Sequence, residues 1–250
     1  MNAIEIKDLK KTFDGKEYIL KGLDLDIPKG KITVIIGFSG TGKSVLLKHL
    51  LGLYKKTSGS IKVLDTEIDS LDEEAIARFR CRFGVLFQDA ALFDDLTTLQ
   101  NVQFPLDEYR NDLDKKDRYA LAAKKLDQVG LGKEHFGKLP SQVSGGMRKR
   151  VGLARALALD PDIILYDEPT TGLDPIMTEM VDDLILKTHS ARPGLTSIVI
   201  THDLYAAFRL ADQIAMLYEG KVLLKGTAED FYSTDIDIVK RFVDKGVNKK

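Results

Sequence analysis

Three observations predict an α/β fold built on a parallel core sheet. Short apolar runs of the kind a strand buried on both faces requires occur at residues 32–36, 83–87, 163–166, 197–200 and 214–218. The first run leads directly into a glycine-rich turn and a helical pattern over residues 43–51. Nearer the start, residues 4–9 and 23–27 alternate apolar with polar side chains, as half-buried strands do. The stretch Phe13-Asp14-Gly15-Lys16 between them reads as a turn, so an antiparallel β-layer is expected to open the chain.

The stretch from 95 to 137 is charged, lacks strand signals and carries a helical pattern through Tyr119, Leu121, Leu126 and Val129. It is read as a helical insertion extending to about residue 150. A helical tail is expected from about 227 to 250, where Ile236, Val239, Phe242 and Val243 have a helical spacing suited to packing on the chain's own domain or on a partner protomer. There is no repeat and no obvious linker, so residues 1–250 are expected to form one domain with two appendages. At 250 residues the chain can bury a sizeable core, and 44% hydrophobic with 30% charged residues is ordinary for a globular protein. A net charge of −1 argues against a nucleic-acid partner. The one cysteine, Cys81, cannot form an internal disulfide, which with the lack of an N-terminal apolar segment fits a reducing cytoplasm. No apolar run approaches the roughly 20 residues needed to cross a bilayer, so any membrane role must be borrowed from another chain.

The strongest motif is Gly37-Phe38-Ser39-Gly40-Thr41-Gly42-Lys43-Ser44, a match to G-x-x-x-x-G-K-[ST] between a strand and a helix. Its glycines let the backbone wrap phosphate, and successive N–H groups form an anion nest at a helix N-terminus. Lys43 reaches the β- and γ-phosphates as a point charge, while the Ser44 hydroxyl ligates Mg²⁺. The plainer reading, a turn that only caps a helix, explains less of the context.

A second site is the run Ile163-Ile164-Leu165-Tyr166-Asp167-Glu168. A buried strand ending in two carboxylates is costly unless a cation waits there. Beside a phosphate loop that cation is Mg²⁺, held by Asp167 directly or through water, with Glu168 placed to polarise an attacking water. Further on, Asp174 and Pro175 make a good helix start. His202 follows a strand at the end where open α/β sheets bind ligands.

The segment Val143-Ser144-Gly145-Gly146-Met147-Arg148-Lys149-Arg150 precedes a helical pattern through Val151, Leu153, Ala154, Leu157 and Ala158. Ser144 is a natural N-cap, and Ser-Gly-Gly at a helix start gives this chain a second phosphate-ready surface. Here the chain resembles the ABC ATPase family, whose signature loop reads Leu-Ser-Gly-Gly-Gln. Val143 replaces the leucine and Met147 the glutamine. The resemblance extends over nearly the whole chain, in the family's order.

The resemblance implies further roles. Phe13 falls where the family stacks an aromatic on adenine. Gln88 matches the glutamine that senses Mg²⁺ and the γ-phosphate, Asp174 the D-loop aspartate, and His202 the switch histidine. Val45 stands where threonine is usual. The family also implies a head-to-tail homodimer with two sandwiched ATPs. Each lies between the phosphate loop of one protomer and Ser144, Gly145 and Gly146 of the other. An integral membrane permease is the implied partner, and the cytoplasmic face of the inner membrane the implied location.

Three stretches resemble more narrowly the Mla/Mce-type phospholipid transport ATPases of bacterial envelopes: residues 42–49, residues 86–93 with 101–106, and residues 144–150. That likeness adds a substrate-binding Mce-type protein and a small regulatory subunit as possible partners. An ATPase subunit of a polar amino-acid or other small-solute importer is the alternative within the class. A soluble, non-transport ABC ATPase would carry two cassettes, long coiled coils or basic segments, and none is visible. A P-loop kinase or GTPase would not need the signature loop.

Overall fold

A computed structural model describes residues 1–247. They divide into two compact units, one from residues 1–80 and 193–247 and the other from residues 81–192. The first segment gives β1 (Asn2–Thr12), β2 (Tyr18–Pro28), β3 (Ile32–Ile36), α1 (Lys43–Leu50), β4 (Ser58–Val63), β5 (Thr66–Glu67) and α2 (Glu73–Arg80). The second unit contains β6 (Phe83–Leu86), α3 (Thr98–Tyr109), α4 (Lys115–Gln128), α5 (Gly145–Ala156), β7 (Ile163–Asp167) and α6 (Pro175–Ser190). The chain then completes the first unit with β8 (Thr196–Ile200), α7 (Leu204–Leu210), β9 (Gln213–Tyr218), β10 (Lys221–Gly226), α8 (Ala228–Ser233) and α9 (Asp237–Val247).

The first unit holds two β-layers. One is antiparallel, in the order β2-β1-β4-β5, with Ile4, Ile6, Leu9, Leu23, Leu25 and Ile27 facing inward as their alternation requires. The turn at 13–16 is an Asx turn. Asp14 Oδ1 accepts from the Lys16 and Glu17 amides at 2.9 and 3.0 Å, and these bonds hold its carboxyl below the usual range. In the other layer β3 runs parallel to both β8 and β9, and β10 is antiparallel to β9. All five residues of β3 and of β8 are buried, as their mainly apolar runs require, with the hydroxyl residues Thr33, Thr196 and Ser197 buried among them. The Lys21 amide donates to the Gly220 carbonyl at 2.9 Å, tying β2 to the β9–β10 turn.

In the second unit β6 and β7 pair in parallel, Phe83 opposite Ile163 and Leu86 opposite Tyr166. No strand lies between β6 and β7. Helices α3, α4 and α5 pack together there, burying Val102, Leu106, Ala122, Leu126, Val151, Leu153 and Ala154. Buried Lys125 of α4 is paired with Asp160 at 2.7 Å.

Boundaries moved slightly from the sequence expectation. The strand expected over 83–87 stops at Leu86, leaving Phe87 exposed, and α5 ends at Ala156 with Leu157 as its C-cap. Strands β4, β5 and β10 and helix α2 were not anticipated. β4 opens Ser-Gly-Ser, β10 lies half-exposed along its length, and α2 buries only Phe79. The apolar repeats they carry are short, Ile61 and Val63 in β4 and Ile76 and Phe79 in α2.

Gly84 shows how tightly the second unit is packed. A Cβ there would overlap the Ala156 carbonyl oxygen at the end of α5 and approach Pro161 Cγ to 3.1 Å. Gly84→Ala is expected to lower stability by about 1–3 kcal/mol, because a backbone carbonyl cannot step aside as a flexible side chain can. Denaturant unfolding against the parent chain measures it.

Candidate functional site

The phosphate loop belongs to the first unit. It leaves buried β3 and turns into α1 through glycines with φ of 153°, 81° and 102° at 37, 40 and 42. The last two are left-handed, where a side chain would be strained. A Cβ on Gly37 would overlap the Leu217 carbonyl oxygen, and one on Gly42 would stand 2.7 Å from Leu20 Cδ2, whereas Gly40 faces open space. The loop is therefore packed from below and open above. Gly42 supplies no side-chain cap to α1, and the helix has no acidic residue in its first turn. The positive end of its dipole favours an anion there.

Inside the loop the Phe38 carbonyl accepts from Thr41 Oγ1 at 2.9 Å and from Lys43 Nζ at 3.0 Å, and the Gly37 carbonyl takes Lys43 Nζ at 2.7 Å. Lys43 thus lies buried along the loop it serves. Ser39 and Ser44 are exposed, and Val45 is half-buried behind Ser44. Phe13, 56% exposed, meets Tyr54 edge-on at 5.2 Å with Lys11 Nζ 4.6 Å from its centroid. His202 is exposed just beyond β8, and Asp203 caps α7 behind it by accepting from the Tyr205 and Ala206 amides.

The second unit carries the other group of candidates. β7 is buried until Asp167, which is half-buried at its end. Glu168 follows with φ 48°, a left-handed backbone rare for a non-glycine residue, and its Oε2 accepts from Thr171 Oγ1 at 3.1 Å. Strain of this kind persists where surrounding structure holds it, and it marks the side chain it aims. Ser144 caps α5, accepting from the Met147 amide at 3.3 Å, with Gly145 and Gly146 forming the first turn. A Cβ on Gly146 would overlap Met177 Cε of α6. Asp174 caps α6, accepting from the Met177 amide at 2.9 Å, with Pro175 at the first position. Both caps fall where the sequence puts them.

Three positioning residues were not found from sequence. Gln88 is exposed, and its carbonyl accepts from the ammonium of Lys149, which is buried in α5. Ala90 and Ala91 follow with φ of 60° and 46°, and their carbonyls each accept from the Arg155 guanidinium at 2.8 Å. Burial lowers the affinity of both cations for their protons. Lys149, Gly152 and Arg155 recur at helical spacing, and Gly152 gives Ala90 room to approach. That spacing was the available signal. The third residue, Asn101, is fully buried in α3. Its carbonyl oxygen accepts from the Phe93 amide at 2.8 Å, and its NH₂ donates to the Phe93, Leu96 and Thr97 carbonyls at 3.0–3.1 Å.

Over this segment opens an apolar groove of about 360 Å³, lined by Val85, Phe87, Phe93, Phe104, Arg155 and Leu159 among others. Phe93 and Phe104 stack at 4.7 Å and are each 41% exposed, while Leu99 and Leu106 are core. The apolar character of 88–106 thus divides into residues that fix the helices and residues that face outward.

A strand–glycine loop–uncapped helix, a strand ending in Asp-Glu and a Ser-Gly-Gly helix start define a P-loop ATPase of the ABC type. The family model for ABC transporters matches residues 20–171, and the chain belongs to that family. It is 42% identical over 241 residues to the "Probable ribonucleotide transport ATP-binding protein mkl" of Mycobacterium leprae, covering 96% of this chain and 68% of that one. It is 40% identical to the "Intermembrane phospholipid transport system ATP-binding protein MlaF" of Haemophilus influenzae, over 96% of this chain and 89% of the relative. Among solved structures, the dimeric ATP-binding cassette MJ0796 in a post-hydrolysis state with ADP and Pi matches with TM-score 0.80 and 34% identity, covering 90% of this chain and 98% of that one. The chain is thus an ATP-hydrolysing cassette domain.

Because Asn101 satisfies four main-chain groups from a buried position, Asn101→Ala should cost about 2–3 kcal/mol. It should also speed proteolytic cleavage within residues 93–97. A thermal melt with timed proteolysis tests both, and an unchanged melt would show that the segment holds itself.

Proposed function

We propose that this chain is the ATP-binding and ATP-hydrolysing subunit of a membrane transporter of phospholipid or other lipid, working as a head-to-tail homodimer. One observation carries the dimer reading: a single chain presents two separate phosphate-ready helix starts, at α1 and at α5, each in its own unit. In the dimer, one protomer's phosphate loop faces its partner's signature turn across an ATP.

Phe13 stacks on the adenine. The amides of residues 39–44 and the Lys43 ammonium bind the phosphates, and Ser144, Gly145 and Gly146 complete the γ-phosphate site from the other protomer. The residues that the family likeness assigns to the metal, Ser44, Asp167 and Gln88, each bring an oxygen donor. Hard oxygen donors few in number suit Mg²⁺, which keeps waters and phosphate oxygens as its remaining ligands. When bound, Mg²⁺ neutralises charge on the β- and γ-oxygens. Glu168 holds and polarises the water for in-line attack, and His202 orients the γ-phosphate and that water. Asp174, at the D-loop position, caps α6. Lys43 and the helix-start amides stabilise the charge that develops in the transition state.

Among the described residues no helix is long and apolar enough to cross a membrane. The power stroke therefore passes to a separate permease, and the chain sits peripherally at the cytoplasmic face of the inner membrane. The groove at Phe87, Phe93 and Phe104 suits an amphipathic helix of that permease laid across it. The lipid assignment leans on the likeness to MlaF, with a Mce-type substrate-binding protein and a small regulatory subunit as further members of the complex. The mkl name carries a different cargo, and an ATPase does not touch cargo. Isolating the complex from its native membrane and identifying the co-purifying subunits and bound lipid decides between lipid and small-solute transport.

Division of labour at the site gives one expectation. Glu168→Gln should abolish turnover, keep ATP affinity and trap a closed dimer, whereas Lys43→Ala should weaken ATP binding itself. Adding Ser144→Arg to Glu168→Gln should leave ATP binding by the monomer near normal and prevent the ATP-induced dimer. Sedimentation reads the dimer. An unimpaired dimer in the double variant contradicts the head-to-tail arrangement.

The groove gives another. Phe93 is held by Phe104 and sits 5.7 Å from the Arg155 guanidinium, so an aspartate there is compatible with folding. Phe93→Asp should melt near the parent yet lose about 2 kcal/mol or more of permease affinity. Co-purification with the permease beside a melting curve checks it. Normal association in a folded variant would place the contact elsewhere.

A further inference from the structure

The last helix of the chain reaches the phosphate loop. In the parallel pairing of β3 with β9, Ile36 lies opposite Met216. One residue on, Gly37 is pressed against the Leu217 carbonyl. At the next step the rings of Phe38 and Tyr218 meet at 6.2 Å and 69°. Phe38 also takes the ring of Phe242 from α9, edge to face, at 4.8 Å and 78°. Helix α9 is itself anchored by buried Val239 and Val243 and packs on α7 and α8.

Phe38 is the second residue of the glycine loop, a position that the phosphate-loop pattern leaves open to any side chain. Its carbonyl is the loop's internal hub, accepting from the Thr41 amide, Thr41 Oγ1 and Lys43 Nζ at 3.4, 2.9 and 3.0 Å. The ring and the carbonyl are joined through one Cα, so turning the ring's owner turns the hub. An edge-to-face aromatic pair resists such turning beyond its simple burial. The neighbouring glycines at 37 and 40 offer little stiffness of their own.

We propose that Phe242 is a positioning residue for nucleotide binding. By clamping the Phe38 ring from α9, it fixes the carbonyl that aims Lys43 and Thr41, and the C-terminal helix thereby sets the ATP affinity of the loop. The inference rests on reading residues 37–44 as the ATP phosphate site. A helix that served only as packing would have no reason to meet the loop through its one outward aromatic ring.

The test is ATP titration and steady-state hydrolysis on the full chain, with melting curves alongside. Phe242→Ala should raise Kd and KM for ATP about three- to tenfold with kcat little changed, the range an aromatic pair of this geometry is worth. Phe242→Tyr should restore both. Phe38→Ala should match Phe242→Ala, and the double variant should be no worse than either single one, because the ring pair acts as a unit. Val239→Ala serves as the control: it should lower the melting temperature by loosening the same helix while sparing ATP affinity. Parental affinity in Phe242→Ala overturns the proposal. Equal weakening by Val239→Ala, or multiplying effects in the double variant, does so too. If Lys43→Ala leaves affinity intact, the ATP assignment of the loop fails and the proposal falls with it. That result is distinct from lost affinity in Lys43→Ala beside parental affinity in Phe242→Ala.

Discussion

Helix α1 starts on a left-handed glycine, with neither a side-chain cap nor an acidic residue in its first turn. Such a helix start presents the positive end of its dipole to the loop before it. β3 is buried along its whole length, so the loop springs from a rigid base. The Leu217 carbonyl blocks any side chain at 37, and Leu20 crowds the position at 42. Buried Lys43 fills the loop's underside through the Gly37 and Phe38 carbonyls. An anion is the one partner for which this arrangement is better than a capping serine.

The second unit solves a similar problem with cations. Four of its non-glycine residues take left-handed backbones in the loops beside its strands: Ala90, Ala91, Asp160 and Glu168. Such conformations cost on the order of 1–3 kcal/mol each and need outside support. Lys149 and Arg155, projecting from α5, provide it to the loop after β6 by binding main-chain carbonyls. The helix that begins with the signature turn is therefore mechanically joined to the loop bearing Gln88.

Much of this was legible in the sequence, and the reasons differ by element. β3, β7, β8 and β9 announced themselves because strands buried on both faces are mainly apolar. Ser144 and Asp174 were readable as caps because the N-cap has a short list of competent side chains. What stayed hidden was of two kinds. β4 and α2 carry apolar repeats of only two positions each, and β10 is half-exposed along its length. Lys149, Arg155 and Asn101 act on backbone atoms distant in sequence, and a bond to a carbonyl leaves no complementary residue type to find. The division of residues 88–106 into core and groove also needed coordinates. Leu99 and Phe104 are equally apolar, and only their place on α3 separates buried from exposed.

The hydrogen bonds from the Asn101 side chain to the 93–97 segment all go to main-chain atoms. The curve of that segment is consequently indifferent to which side chains it displays. Such a design behaves like a fixed keyway with interchangeable bitting. Residues facing out, such as Phe93, can be exchanged for others without redrawing the curve. A lineage of transporters could diverge in the membrane subunit each motor accepts while keeping the same buried amide and the same loop path. Mismatched pairs would then be refused at the surface, with the catalytic machinery of every motor left intact.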